Sequence, residues 1–300
     1  ERLSSVDGIS EFMGWNKPVL TDSGGFQVMS LSKLRKISEE GVKFQSHIDG
    51  ASHFLTPENV IDYQNIIKSD IQMVLDECIQ YPESYENVKK SMELSLRWAE
   101  RSRKHYNKNK SKIYGAQFGI IQGGVFEDLR ETSISETVNF DFEGYAIGGL
   151  AVGEGHEKMI EVVDYTAPQL PEDKVRYLMG VGKPNDIIEA VYRGVDIFDC
   201  VIPTREGRHG IAYVGSSSIN IKNSKFESDL TPLDESSDYF VSKKYSKSYL
   251  NHLLKIKDPL GPMLISLHNL NYYFNLMTDL GVSIEEGRLD SFREDFYKDN

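Results

Sequence analysis

Cysteine is nearly absent from this chain: only Cys78 and Cys200 occur in 300 residues. Two thiols exclude a disulfide-stapled scaffold and any multi-cysteine zinc cluster, and they suit a reducing, cytoplasmic setting. Long apolar runs are missing as well; no stretch reaches the roughly 18 residues of a membrane-spanning helix. No basic segment followed by an apolar run opens the sequence, so no secretory signal is read there. Nor is there an excess of positive charge. Lysine and arginine number 34 against 46 acidic residues, a formal balance of −12. That balance argues against non-specific nucleic-acid binding through bulk charge, although a local basic patch can still bind a specific RNA.

What is present is the composition of a globular protein with an ample core, 39% hydrophobic and 27% charged. Short apolar runs that end in small or acidic residues recur: VLTDSGGF (19–26), IQMVLDEC (71–78), IYGAQFGIIQGG (113–124), YAIGGLAVGEG (145–155), VRYLMGVG (175–182) and VDIFDCVIPTR (195–205). Their Val, Ile, Leu and aromatic content predicts parallel strands covered on both faces.

Helical segments lie between them. Thr56 before Pro57 reads as an N-cap followed by an N1 proline, and Val88, Met92 and Ala99 form one apolar stripe within 84–106. After Gly210 the rhythm changes to a hairpin (IAYV, SINIKN), a polar stretch (223–244) and three terminal helices.

Strand alternating with helix makes an α/β protein, and no G-x-G-x-x-G turn follows the first strand to support a dinucleotide fold. Polar residues gather at the C-terminal ends of the predicted strands, where barrel enzymes keep their chemistry. The expectation is a (βα)8 TIM-type barrel lacking its first two βα units.

Those strand ends carry Asp22, Asp76, Gln122, Gly148–Gly149 and Asp199. Carboxylates accept, an amide both donates and accepts, and glycine lets backbone approach closely, a set suited to a small planar ligand. Phe26 and Met179 are candidates for its apolar faces. Two carboxylates can divide the roles of nucleophile and general acid/base, as in retaining glycosidic cleavage. The plainer reading of each Asp is a helix cap or a turn residue. The residues alone support a barrel enzyme with an acidic pocket.

The block VLTDSGGFQVMSL (19–31) resembles the signature of the tRNA-guanine transglycosylases, which exchange a guanine in tRNA for a 7-deazaguanine. The resemblance continues in order through DGASHFLTPENVIDYQ, DECIQYP, GIIQGG, YAIGGLAVGEG, YLMGVGKP, VDIFDCVIPTREGRHG, IKNSKF and LHNLNYY, over roughly residues 10–280. It implies the same barrel fold.

The resemblance also implies roles. Asp199 resembles the nucleophile that attacks ribose C1′ and Asp22 the general acid/base. Asp76, Gln122 and Gly149 resemble the groups that hydrogen-bond the base, with Phe26 and Met179 stacking on its faces. Leu150 and Glu154 fall where the aminomethyl arm of the incoming base is recognised. Cys78 and Val152 resemble the bacterial subgroup, which uses preQ1. Lys183, Arg205 and Arg208 match positions that hold the anticodon loop. The implied partners are a tRNA with a U-G-U anticodon loop, a guanine or 7-deazaguanine base, and a second copy in a homodimer.

Two departures stand out. The family carries a C-x-C-x-x-C cluster and a later histidine, whereas Ser237, Tyr239 and Ser242 stand at the cysteine positions here and only His268 remains. One histidine with hydroxyls cannot make a tetrahedral thiolate site, so no structural zinc is expected and His268 is expected to pack or cap. His209 also replaces the asparagine of the pattern GRNG. The domain expectation is a catalytic barrel core over 1–222, a degenerate zinc-type subdomain over 223–270 and a helical segment closing the barrel over 271–300. The competing functional readings are a non-catalytic tRNA-binding or partner subunit and an unrelated barrel hydrolase.

Overall fold

The computed structural model describes residues 2–30, 35–46 and 48–298, so Leu31, the last residue of the signature block, lies outside the described residues. The chain forms two compact units. The first comprises residues 1–179 and 193–197, the second residues 180–192 and 198–300.

In chain order the first unit begins with α1 (Ile9–Met13), β1 (Leu20–Thr21), α2 (Gly25–Ser30), β2 (Arg35–Ser38), β3 (Gly41–Gln45), β4 (Ser52–Leu55), α3 (Pro57–Ile67) and β5 (Ile71–Met73). There follow α4 (Tyr85–Asn109), β6 (Ala116–Ile121), α5 (Glu127–Asn139), β7 (Gly144–Ile147), α6 (His156–Thr166) and β8 (Val175–Leu178). The sheet runs in the order β1-β5-β6-β7-β8, then β9 (Ile197–Phe198), which contributes Ile197 to this unit. Leu20 lies beside Ile71, Met73 beside Phe118, Ile121 beside Ile147, and Ile147 beside Leu178, every one of these pairs parallel. This is the strand–helix repeat of a (βα)8 barrel, with six of its eight strands among the described residues.

The burial fits that reading. All four residues of β7 are buried, as are five of the six in β6, because in a barrel one face of each strand lies under the helices and the other faces the packed interior. The predicted cap at Thr56 forms in full: its hydroxyl accepts from Asn59 N, and the Asn59 side chain accepts from Thr56 N. Val88, Met92 and Ala99 are buried on α4, as their spacing requires.

The strands are shorter than their apolar runs, and two of them shrink to a pair of residues. The 19–26 run pairs only at Leu20–Thr21 before α2 begins, and the 195–205 run pairs only at Ile197–Phe198. Gly24 takes a positive φ and turns the first run into a helix, while Pro203 sits in the first turn of the helix that follows the second.

A three-stranded antiparallel sheet, β2-β3-β4, went unread in the sequence. Its hairpin turn is Glu39–Glu40, since Ser38 pairs with Gly41, and two glutamates give none of the usual turn signal. This sheet is fastened to α4. Trp98 Nε1 donates to Glu39 O at 2.9 Å, and Arg101 reaches Glu39 O and the Glu58 carboxylate. Val42, Val60, Leu75 and Trp98 pack beneath it.

The second unit holds α7 (Pro184–Tyr192), Phe198 of β9, α8 (Ile202–His209), the hairpin β10 (Ile211–Val214) with β11 (Ser217–Asn220), α9 (Phe240–Lys244), α10 (Lys247–Lys255), α11 (Leu260–Glu285) and α12 (Leu289–Lys298). One core joins Ala212, Ile221, Leu233, Val241, Leu250 and Ile265; another joins Ile187, Ile188 and Val191 of α7 to Tyr273, Leu276 and Leu280 of α11.

His268 is buried in the second unit with both ring nitrogens engaged. Ser242 Oγ lies 2.7 Å from Nδ1, and Nε2 lies 2.7 Å from Tyr213 O. Ser237 Oγ instead accepts from Tyr239 N. A zinc site does not fit this arrangement: the imidazole has no lone pair directed at a vacant centre, and its neighbours are hydroxyls and a carbonyl. Among the described residues no group of three or more His, Cys, Asp or Glu could hold a metal ion. His268 is the packed histidine expected from the sequence.

Candidate active site

The first unit brings four of the predicted residues together. Asp22 follows β1, which is held less by its short ladder than by side chains: Thr21 Oγ1 lies 2.8 Å from Gln64 Oε1 and 2.7 Å from Ser69 Oγ, and Val19 N donates to Asp70. Ser23 N donates to Asp22 Oδ1 at 2.7 Å, and Gly25 N to Ser23 Oγ. A β-carbon on Gly25 would fall 2.7 Å from both the carbonyl and the carboxylate of Asp76, so the D-S-G-G turn needs glycine there.

Asp76, beyond the end of β5, is only 7% exposed. Gln122 Nε2, beyond the end of β6, donates to its Oδ2 at 2.7 Å. Burial, then the nearby negative charge of Asp22, pushes the Asp76 carboxyl up to about 7, against the hydrogen bond from Gln122. Two carboxylates that feel one another, beside an amide, can hold and pass a proton.

Gly149 completes this cluster. It adopts φ +67, and a β-carbon there would fall 2.5 Å from Gln122 Oε1. The turn and the close approach both require glycine. The neighbouring loop is ordered by Glu154, whose two oxygens accept from Ala151 N at 2.5 Å and Val152 N at 2.9 Å. Gln122, Gly149, Val152 and Glu154 line one pocket, and Phe26, Cys78 and Val152 line an adjoining groove. Phe26 is half exposed and Leu150 is buried. Burial pushes the Cys78 thiol up to about 12, so it serves as wall and not as nucleophile. Met179 N, past β8, donates to Ile147 O.

Asp199 belongs to the second unit. Its carboxylate is exposed and accepts from Gly180 N at 2.7 Å. The segment around it is packed tightly: a β-carbon on Gly182 would fall 1.9 Å from Cys200 Sγ, and Tyr273 Oη donates to Gly182 O at 2.5 Å. Lys183, Arg205 and Arg208 are all exposed in the same unit, the two arginines on α8.

Sequence reasoning missed Arg130, whose guanidinium is fully buried behind the Gln122–Gly149 pair, and Ser133, whose hydroxyl accepts from Gln122 N. The available signal was their position beside Leu129 and Ile134 on the inward face of α5.

The family profile of queuine tRNA-ribosyltransferase matches residues 1–300. Similar proteins carry the same description. The queuine tRNA-ribosyltransferase of Rickettsia typhi is 54% identical over 288 residues, 96% of this chain and 79% of the relative. Those of Zymomonas mobilis and Caulobacter vibrioides are 50% and 52% identical over 297 residues, 99% of this chain and 77% and 79% of the relatives. A profile match along the whole chain and identities of half or more leave one assignment: the chain belongs to the bacterial queuine tRNA-ribosyltransferase family.

Proposed function

We propose that this chain exchanges guanine in the anticodon loop of tRNA for a 7-deazaguanine such as preQ1, acting as a tRNA-guanine transglycosylase in queuosine biosynthesis. The observation that carries the reading is the Asp76–Gln122 hydrogen bond beside Gly149, within the field of Asp22, at the ends of successive parallel strands. Guanine offers an N1–H and an exocyclic amine as donors and O6 as acceptor. An ionised Asp76 accepts from the donors, while the Gln122 amide and the Gly149 N–H serve O6. Phe26 and Met179 take the ring faces, Leu150 and Glu154 the arm of the incoming base, and Cys78 and Val152 leave room for preQ1.

In the first step an Asp199 oxygen bonds to ribose C1′ as the bond from C1′ to guanine N9 breaks. The bonding pair goes to the base, which takes a proton from Asp22. In the second step the corresponding nitrogen of the incoming base gives its proton to Asp22 and attacks C1′, releasing Asp199. Water must be kept out between the steps, or the product is an abasic tRNA. The guanine must leave its stack to be reached, which suits the wobble base of a single-stranded U-G-U loop in GUN tRNAs. Lys183, Arg205 and Arg208 hold the phosphates of that loop. The chemistry needs only these side chains, and no step passes through a metal. The same reading places the enzyme in the cytoplasm, as a homodimer.

The test is incorporation of labelled guanine into a tRNA with a GUN anticodon, by the parent and by Asp199→Ala. Exchange by the parent alone is expected. No exchange by a folded parent that still binds tRNA would favour a non-catalytic partner subunit instead.

A further inference from the structure

Arg130 is an unusual core residue. It is 0% exposed, it sits on the inward face of α5, and among the described residues no carboxylate pairs with it. Its donors go to backbone instead: Nε to Gly124 O at 2.8 Å, Nη1 to Ile121 O at 3.2 Å, and Nη2 to Gly148 O at 2.9 Å. Burial lowers its pKa to about 10, against the fields of Cys78 and Glu154, so it stays charged at neutral pH. A buried cation without a carboxylate is a poor way to stabilise a core.

The three carbonyls explain the choice. Ile121 ends β6, immediately before Gln122; Gly124 belongs to the turn that follows; and Gly148 stands between the end of β7 and Gly149. Gly148 N also donates to Ile121 O, which ties the two strand ends directly. One turn along the same helix, Ser133 Oγ accepts from Gln122 N at 3.0 Å. Arg130 Nη2 lies 3.6 Å from the position of a Gly149 β-carbon, while Gln122 Oε1 is 2.5 Å from it. A guanidinium fork bridges all three carbonyls at once, which an ammonium or an amide cannot. A cation on the Gly148 carbonyl also polarises that peptide, which strengthens its far end, the Gly149 N–H, as a donor.

We propose that Arg130 is a positioning residue of the base pocket, clamping the ends of β6 and β7 and polarising the Gly148–Gly149 peptide so that Gln122 and Gly149 present a fixed edge to the base. The role rests on the transglycosylase reading above. Being fully buried, Arg130 touches neither the ribose nor a phosphate, so its effect falls on the base held in the pocket, free or still joined to tRNA, and not on the phosphate contacts.

The experiment uses the full chain with Arg130→Lys and Arg130→Met. Guanine binding is followed by calorimetry, tRNA binding by gel shift, and exchange by labelled guanine. Arg130→Met is expected to weaken guanine binding at least tenfold and Arg130→Lys at least fivefold. The KM for guanine should rise in the same order, with tRNA affinity, which rests mainly on phosphate contacts, falling by a smaller factor. Parental guanine affinity in a folded Arg130→Met sample would overturn the proposal, as would guanine and tRNA affinity falling by the same factor in both variants. If Arg130→Met does not fold, Arg130→Lys decides alone, and parental guanine affinity there overturns the clamp. A parent that binds guanine but exchanges none would sink the transglycosylase reading while leaving the calorimetric test of Arg130 intact.

Discussion

Gln122 reaches across from the end of β6 to hydrogen-bond Asp76 at the end of β5, and the carboxylate it holds is the one that burial and Asp22 drive towards neutrality. The same group therefore pulls stability and base affinity in opposite directions with pH. In the folded chain its pKa lies near 7, above its ordinary value of 3.8. Its contribution to stability is complete below the ordinary value and is lost as pH rises through about 7. Base binding needs the ionised acceptor, so guanine affinity should fall as pH drops below about 7. Asp76→Asn should stabilise the fold at pH 8 by up to about 4 kcal/mol, seen as a higher melting temperature. It should also weaken guanine binding at that pH. Paired melting and calorimetric titrations from pH 5 to 8 check both arms; curves moving together would contradict the assignment.

Gly149→Ala strains a backbone at φ +67 and drives a methyl against Gln122 Oε1. A loss of about 1–3 kcal/mol in stability is expected. The larger effect should be on guanine KM, because the displaced oxygen belongs to the amide whose Nε2 donates to Asp76. A mutant with the parental KM would show that the Gln122 side chain is free to move.

Ser242→Ala leaves buried His268 Nδ1 without its partner and should cost about 1–2 kcal/mol by denaturant titration. Burial holds the His268 pKa below its ordinary 6.5 against its bond to Tyr213 O. Its share of stability is whole above that value and is lost as pH falls through the lower one. Chelator should leave the melting temperature unchanged. One tightly bound zinc per chain by metal analysis would contradict this account.

Lys183, Arg205 and Arg208 are exposed without an ion pair among the described residues. If each meets a phosphate of a single-stranded loop, each alanine substitution should lower the slope of log affinity against log salt by about 0.7. A slope that stays put for all three would place the RNA elsewhere.

Much of this was legible because the chemistry sits on the barrel's most regular parts. Buried parallel strands such as β6 and β7 announce themselves as short, largely apolar runs, and Gln122 and Gly149 stand where those runs stop. The sheet β2-β3-β4 was illegible for the opposite reason. Its strands are half exposed, and Glu39–Glu40 makes a hairpin without turn residues. Arg130 was hidden by its own chemistry, since an arginine on a helix reads as surface. The replacement of zinc was half visible. Missing cysteines exclude the metal, but only coordinates reveal that Ser242 and Tyr213 take both nitrogens of His268.

The Ser242–His268–Tyr213 chain has a consequence for survival under oxidation. A thiolate cluster is a target: peroxide converts its sulfurs to sulfenic acids and disulfides, the metal leaves, and the fold around it loosens. A hydroxyl, an imidazole and a backbone carbonyl have no such chemistry at physiological oxidant levels. Neither cysteine lies between β10 and α11, and burial raises both the Cys78 thiol and the half-buried Cys200 thiol that packs against α11, so peroxide should leave the segment from β10 to α11 folded.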